Sequence, residues 1–258
     1  MKARPMVLLP MPVDPSRPLQ LTLTWDGQGA TTEQVADTYG RAMKSFNTHL
    51  QWEAFRLPLA AQAGTAPTGT LHVDRDAIHI TFTSYPYQPQ SIGLLVRALV
   101  YQHRHWSSRV DVTLSNTEAG IGIPASTRLW RTADILEYPP ETSQLPFPAS
   151  VQWCTKRPLL TVQFASEVDP SVVDHLDDIV AAWVVLGDLG AYATPSQLEA
   201  PVEEESLEML LDLPVDSGDE VAWQVTQYGV TPDCVIPLLN MLAGFHAREA
   251  RLSRLIIE

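Results

Sequence analysis

The sequence predicts an α+β protein in which one arrangement of strands and helices occurs twice. The main observation is that residues 88–114 and residues 231–257 align without a gap. In both segments a proline opens an apolar helix and a short alternating strand follows, and the aligned pairs include Pro89 with Pro232, Leu95 with Leu238, Leu99 with Leu242, His103 with His246, and Leu114 with Ile257. The length of 258 residues also exceeds the roughly 100–200 residues of a typical domain. We therefore predict an internal duplication with two domains.

The first unit is predicted over residues 1–118. Apolar residues alternate with polar ones from Leu19 to Trp25, which is the pattern of a half-buried strand. Thr31 and Gln34 then form a capping box at the start of a helix, whose apolar stripe contains Val35, Tyr39, Ala42, Met43, Phe46 and Leu50.

A hairpin and a second helix complete this unit. Leu71 and Val73 must share a face with Ile78, Ile80 and Phe82, because cross-strand partners in a hairpin point to the same side. A tight turn at residues 75–76 satisfies this condition and sets His72 directly opposite His79. The second helix begins after Pro89, and an alternating strand at residues 110–114 closes the unit.

Residues 119–150 are predicted to be a Pro/Gly-rich connector, because glycines and prolines interrupt any periodic pattern there. We expect a short helix at residues 126–136 and a short strand near residues 151–154.

The second unit, residues 151–258, is predicted to repeat the first. Leu160, Val162 and Phe164 mark its opening strand, and Asp169 with Pro170 marks a helix start. A loop over residues 190–205 follows, and strands at 207–213 and 221–225 pair across a turn at 216–219. Thr231 is expected to cap the last helix, and residues 252–257 form the closing strand. The whole chain then reads as two tandem ferredoxin-like (βαββαβ) units with helices on one face of each antiparallel sheet.

Charge is distributed unevenly along this chain. Through residue 125 there are 10 basic and 9 acidic residues, whereas from residue 126 onward there are 7 and 21, a net charge of −14. Such a surface repels phosphate backbones and anionic lipid and attracts basic proteins. We therefore expect no nucleic-acid or membrane partner, and we consider a basic protein partner; on composition alone, solubility is the simpler explanation.

The cysteines and the apolar runs indicate the compartment. Cys154 and Cys234 are too few for a disulfide framework and are typical of a reducing compartment such as the cytoplasm. No apolar run approaches the roughly 20 residues of a membrane span. Pro10 and Pro12 interrupt the apolar run at the N-terminus, so we expect no signal peptide.

Acidic residues of the second unit are the candidate binding residues. They occur as a run before a strand, around the following turn, and along one helical face, and they are Glu203, Glu204, Glu205, Asp216, Asp219, Glu220, Asp174, Asp177 and Asp178. A solvated helix face is the alternative interpretation for the three residues of the helix.

Histidines provide the second candidate. His72 and His79 face each other, and Asp74 and Asp111 share their side of the sheet, so they could hold a metal or line a pocket. Two ligands do not make a metal site, and surface histidines are the simpler interpretation. His103 and His246 end their helices, where an imidazole can bond a free carbonyl.

No motif in the sequence requires an enzyme. Glycine-rich phosphate loops, paired-cysteine zinc spacings, HExxH and nucleophile elbows are absent from the sequence. We expect a non-catalytic protein-binding module of the inhibitor, immunity or adaptor type, with no cofactor. The alternatives are a small-molecule or haem-binding protein, possibly an enzyme, with a polar pocket between the two sheets, and a scaffold that oligomerises through its sheet edges.

Overall fold

The computed structural model describes the chain in separate ranges, which are residues 19–25, 31–52, 54, 69–74, 77–82, 89–103, 106, 110–116, 123–125, 145–153, 156–194, 197, 207–212 and 214–258. Within these ranges the protein is α+β, as the sequence predicts, with four α-helices and two sheets. No helix within them combines the length and the hydrophobicity that a membrane span requires.

The first half of the chain contains one sheet and two helices. Its elements are β1 (Leu19–Trp25), α1 (Thr32–Gln51), β2 (Gly69–Val73), β3 (Ala77–Phe82), α2 (Pro89–His103), β4 (Val110–Asn116) and β5 (Ile123–Ala125). The strand order is β2-β3-β1-β4-β5, and every neighbouring pair is antiparallel.

The second half forms another sheet with two further helices. Its elements are β6 (Ala149–Val151), β7 (Leu159–Phe164), α3 (Pro170–Asp188), β8 (Glu208–Leu211), β9 (Val215–Asp216), β10 (Glu220–Tyr228), α4 (Val235–Arg248) and β11 (Leu252–Ile257). The strand order is β6-β11-β7-β10-β8, with β9 also paired to β10. Only β6 runs parallel to its described neighbour.

Two helix starts match their sequence signals. The Gln34 N–H donates to Thr31 Oγ1 at 3.2 Å, and the Thr31 N–H donates to Gln34 Oε1 at 3.0 Å, so the predicted capping box is confirmed. Asp169 Oδ1 accepts from the Ser171 N–H at 2.9 Å, and this hydrogen bond lowers the pKa of the Asp169 carboxyl. The residues at both positions satisfy backbone donors that an isolated helix leaves unpaired.

The predicted cap at Thr231 is wrong. The Cys234 N–H donates to the Thr231 carbonyl at 3.0 Å, which closes a 3-10 turn over Pro232–Cys234, and α4 begins only at Val235. The Thr231 hydroxyl is buried and has no hydrogen-bond partner among the described residues. Pro232 therefore begins a 3-10 turn rather than the α-helix, and the sequence pattern does not distinguish the two.

Three further expectations need correction. The connector contains β5, which pairs with β4, and the strand expected near residues 151–154 begins at Ala149. The helix expected at residues 126–136 lies outside the described residues. The predicted hairpin of the second half is interrupted, because β10 pairs with β9 near the turn and with β8 further along.

Helices from the two halves pack against each other between the sheets. Helix α1 contacts β2, α2 and α3, while α3 contacts β8 and α4. The inner faces of both sheets and all four helices contribute to one apolar core. At one contact, Gly244 on α4 lies so close to the Trp52 carbonyl that an added Cβ would be 2.7 Å from the oxygen. The sheets consequently lie on the outer sides of the helices.

Hydrogen bonds cross between the halves at several buried positions. The fully buried Arg97 donates from Nη1 to the Ala193 carbonyl at 2.9 Å. The Leu207 N–H donates to the Tyr101 hydroxyl at 2.8 Å, and Asn240 Nδ2 donates to the carbonyl of residue 54 at 2.7 Å. Because each half supplies partners to the other, the halves share one interior, while the division into residues 1–118, 119–150 and 151–258 stays a prediction.

Candidate functional site

The histidine pair lies on the outer face of the first sheet. His72 and His79 are opposite each other across β2 and β3, as the predicted turn requires. Their rings are stacked with centroids 6.4 Å apart. Asp74 lies 3.1 Å from Nε2 of His72 and 3.3 Å from Nε2 of His79, one oxygen to each ring. The sequence pattern therefore correctly placed the side chains of His72, His79 and Asp74 close together.

This cluster is exposed to solvent. The side chain of His72 is 74% exposed and that of Asp74 is 51% exposed, so water screens their interaction. Within the described ranges, no three or more His, Cys, Asp or Glu residues are arranged to hold a metal ion. The structure places Asp111 on β4 opposite Thr24, and its side chain is not described.

The position of these histidines also bears on the expected pocket between the sheets. Leu21, Leu23, Ile78 and Ile80 are fully buried on the face of the sheet opposite to His79. Because the helices occupy the space on that inner side, the histidines face away from the second sheet. His72 and His79 therefore do not line a pocket between the two sheets, which corrects that expectation.

The predicted acidic residues divide between two sides of the second sheet. Asp174 and Asp178 are exposed on α3, which packs on the inner face. Asp177 instead accepts a hydrogen bond from the buried Trp223 indole at 2.8 Å, so it helps to hold α3 against β10. Glu203, Glu204 and Glu205 lie outside the described residues.

The remaining acidic residues surround the turn between β9 and β10. Asp219 is exposed in the turn itself, and Glu220 accepts from Gln163 Nε2 at 2.7 Å on the outer face. Asp216 pairs with Val221 across the turn, and its side chain is not described. These three residues surround the turn, as the sequence predicts.

The outer face of the second sheet carries exposed apolar side chains, which sequence reasoning missed. Cross-strand partners share a face. The pairs Leu159–Gln224, Leu210–Thr226 and Val215–Ala222 therefore lie on the face of the sheet away from the buried Trp223 and Val225. Leu159 is 37% exposed, Leu210 49%, Val215 70% and Tyr228 42%, and these are the exposed large hydrophobic residues of the described chain. We call Leu159, Leu210, Val215 and Tyr228 the outer apolar patch.

Charged residues border the outer apolar patch. Glu208 pairs with Tyr228, and the backbone of Glu258 exchanges hydrogen bonds with that of Leu159 at 2.7 and 3.1 Å. Two cations are already engaged there, because Arg157 lies 3.3 Å from Asp212 and the Lys156 ammonium lies 5.0 Å above the Tyr228 ring. The border therefore includes the acidic residues Glu208, Asp212, Glu220 and Glu258, and the exposed Arg254 of β11 lies on the same face as the cross-strand partner of Gln163.

The outer face of the first sheet has a different character. Its described outer side chains are mostly polar, namely Thr22, Thr70, His72, His79 and Thr81, and the apolar Ala77 on this face is buried. The inner faces of both sheets, in contrast, are buried and apolar. Two sheets of similar strand order thus expose chemically different outer surfaces.

Two residues with reactive side chains are structural. Cys234 is fully buried, and its carbonyl accepts from the Trp183 indole at 2.7 Å. The expected carbonyl partner of His246 is wrong, because His246 Nδ1 accepts from the Leu252 N–H at 3.0 Å, which joins α4 to β11. Burial and the nearby Arg251 lower the pKa of His246.

Neither a protein-family model nor a curated protein matches the chain.

Proposed function

We propose that the protein is a non-catalytic protein-binding module, of the inhibitor, immunity or adaptor type, whose acidic second half engages a basic protein partner. The observation that carries this proposal is the net charge of −14 from residue 126 onward, against +1 before it. A field of one sign accelerates encounter with oppositely charged proteins and suppresses contact with nucleic acid. The cysteine content supports a reducing compartment such as the cytoplasm.

We also propose that the two halves are tandem ferredoxin-like units that arose by internal duplication. Their strand orders support this, because β2-β3-β1-β4 in the first half corresponds to β8-β10-β7-β11 in the second. In each half a helix connects the first strand to the hairpin and another connects the hairpin to the last strand. A duplicated scaffold in which one copy became acidic and apolar on its exposed surface is suited to binding rather than to symmetric packing.

Neutralising exposed acids of the second half is expected to weaken capture of the partner. The protein is immobilised and incubated with a lysate of its source organism, and retained proteins are identified by mass spectrometry after washes at low and high salt. We expect a basic protein in near-stoichiometric amount, released by high salt because screening weakens charge attraction. The variant Asp174→Asn, Asp178→Asn, Asp212→Asn should retain several-fold less of it.

The control carries similar changes in the first half. Glu33 and Asp37 are exposed on α1, so Glu33→Gln, Asp37→Asn removes acidic charge elsewhere on the surface. This variant should capture the partner as the unchanged protein does. The proposal fails if the folded protein retains no basic protein, or if capture responds equally to both sets of changes.

A further inference from the structure

We infer that the basic partner docks a basic amphipathic helix on the outer face of the second sheet, with its apolar stripe on the outer apolar patch and its lysines or arginines toward the acidic border. This inference rests on the proposed function and specifies the surface and the partner segment. It is carried by the location of the exposed apolar residues, by the pairing of the sheet backbone, and by charge.

The exposed apolar residues of the second sheet are grouped on one face. Single exposed apolar side chains are ordinary on a protein surface, whereas a group of them on one face marks an interaction site. Leu210 and Val215 lie opposite Thr226 and Ala222 of the same strand, β10, and Leu159 lies opposite Gln224 on its other side. These side chains therefore share one face, on neighbouring strands about 4.8 Å apart, and Leu210 and Val215 lie about 13 Å apart along β10 with Gln224 between the two positions.

The backbone pairing of the sheet favours a helix as the occupant. Strands β7 and β10 each have neighbours on both sides, so their amides and carbonyls are engaged within the sheet. An extended peptide lying on this face would leave its own backbone groups unpaired, whereas a helix pairs them internally. A helix of about 10 Å diameter also covers two to three strands, which matches the span from β8 to β7.

Charge decides between a different protein and a second copy of this chain. Glu208, Asp212, Glu220 and Glu258 lie around the patch beside Lys156, Arg157 and Arg254, so acidic residues outnumber basic ones by one there, and from residue 126 onward they outnumber them by 21 to 7. Two copies joined through this face would bring the acidic halves of both chains together, which costs free energy. A helix with basic residues beside its apolar stripe removes the same surface from water and gains attraction instead.

The double variant Leu210→Ser, Val215→Ser tests the inference without changing charge. Both side chains are about half exposed or more, so we expect the fold to be retained, which circular dichroism and thermal melting verify. Truncation of the few apolar residues that anchor the centre of an interface costs at least about tenfold in affinity. The basic protein captured by the unchanged chain should therefore bind the double variant at least about tenfold more weakly.

The matched control is Thr70→Ser, Thr81→Ser on the outer face of the first sheet, where these two residues are cross-strand partners. It should bind the basic protein with unchanged affinity. Proteolysis of the complex then identifies the partner segment that the chain protects. We expect apolar residues at helical spacing with lysines or arginines beside them.

Three results would overturn the inference while leaving the proposed function intact. The first is that the basic protein binds the double variant as tightly as the unchanged chain. The second is that apolar residues in the protected segment alternate with the period of a strand. The third is a dimer in light scattering that the double variant dissociates, since the patch would then join two copies. Retention of no basic protein by any variant would instead count against the proposed function itself.

Discussion

Gly190→Ala is expected to destabilise the protein by about 3 kcal/mol, the sum of a backbone cost and a packing cost. Gly190 follows α3 with φ +87°, a left-handed conformation that a side chain disfavours. Its N–H donates to the Gly187 carbonyl and the Ala191 N–H to the Leu186 carbonyl, both at 2.9 Å, which is the hydrogen-bond pattern of a Schellman motif. An added Cβ would also clash with the ring of Tyr101, which comes from the other half of the chain.

Gly218→Ala separates the two costs of that substitution. Gly218 has φ +90°, but an added Cβ would meet no atom within 4 Å. Gly218→Ala should therefore lower the free energy of unfolding only by the backbone contribution, about 1 kcal/mol. Urea unfolding of both variants gives the comparison. Equal losses for Gly190→Ala and Gly218→Ala would contradict the close packing of Tyr101 against the α3 terminus.

Stability is expected to fall by about 3 kcal/mol between neutral pH and pH 4 through His49 alone. The His49 side chain is fully buried, and burial lowers its pKa from 6.5 to about 4. Its Nδ1–H donates to the Ser45 carbonyl at 2.8 Å, so Nε2 accepts from the Tyr192 hydroxyl at 3.2 Å. The neutral imidazole therefore links α1 to the segment after α3.

The sign of this effect follows from proton binding. Between pH 6.5 and about 4 the unfolded chain protonates His49 while the folded protein does not. Unfolding then takes up a proton, so stability is complete above pH 6.5 and is lost as the pH falls through this window. His246, whose pKa is also lowered, acts in the same direction.

The variant His49→Gln tests this account through the pH dependence of its free energy of unfolding, not through the absolute value of that free energy. Glutamine carries no ionisable group, so the free energy of unfolding should depend less on pH between 4 and 6.5 than it does in the unchanged protein. Urea unfolding at several pH values provides the two curves. Parallel curves would show that His49 does not titrate as a buried, neutral side chain.

Features with a local cause were predictable from the sequence. The Thr31–Gln34 capping box is a contact between residues three apart, and the turn at residues 75–76 fixes the His72–His79 register by chain geometry alone. The start of α3 at Pro170 has the same local origin. Each depends on neighbours in the chain, so no knowledge of the rest of the protein was needed.

The packing of the halves was not predicted, although its signal is present in α3. The polar sheet faces left open whether the sheets face water, pack on each other or enclose a pocket, whereas in the structure the helices of the two halves meet. Residues 179–187 read IVAAWVVLG, and a helix that is apolar on all sides must be buried on more than one side. The partner of that second side is a distant segment, so the sequence indicated burial without indicating what covers it.

The outer apolar patch was missed for a related reason. Leu207, Met209 and Leu211 alternate along the chain and lie on the inner side of the strand. The same alternation implies that Leu210 faces outward. Val215 could not be placed, because its orientation depends on the separate strand β9, which interrupts the hairpin.

The most direct test of the central claim, that the second half docks a basic protein on its outer face, is site-specific photo-crosslinking in a lysate of the source organism. The photoreactive residue p-benzoylphenylalanine replaces Val215, the most exposed residue of the patch at 70%, and in a second variant it replaces the exposed Thr70 of the first sheet. We predict a crosslinked adduct with one basic protein at position 215, reduced by high salt, and none at position 70. No adduct at position 215, or the same adducts at both positions, would contradict the account.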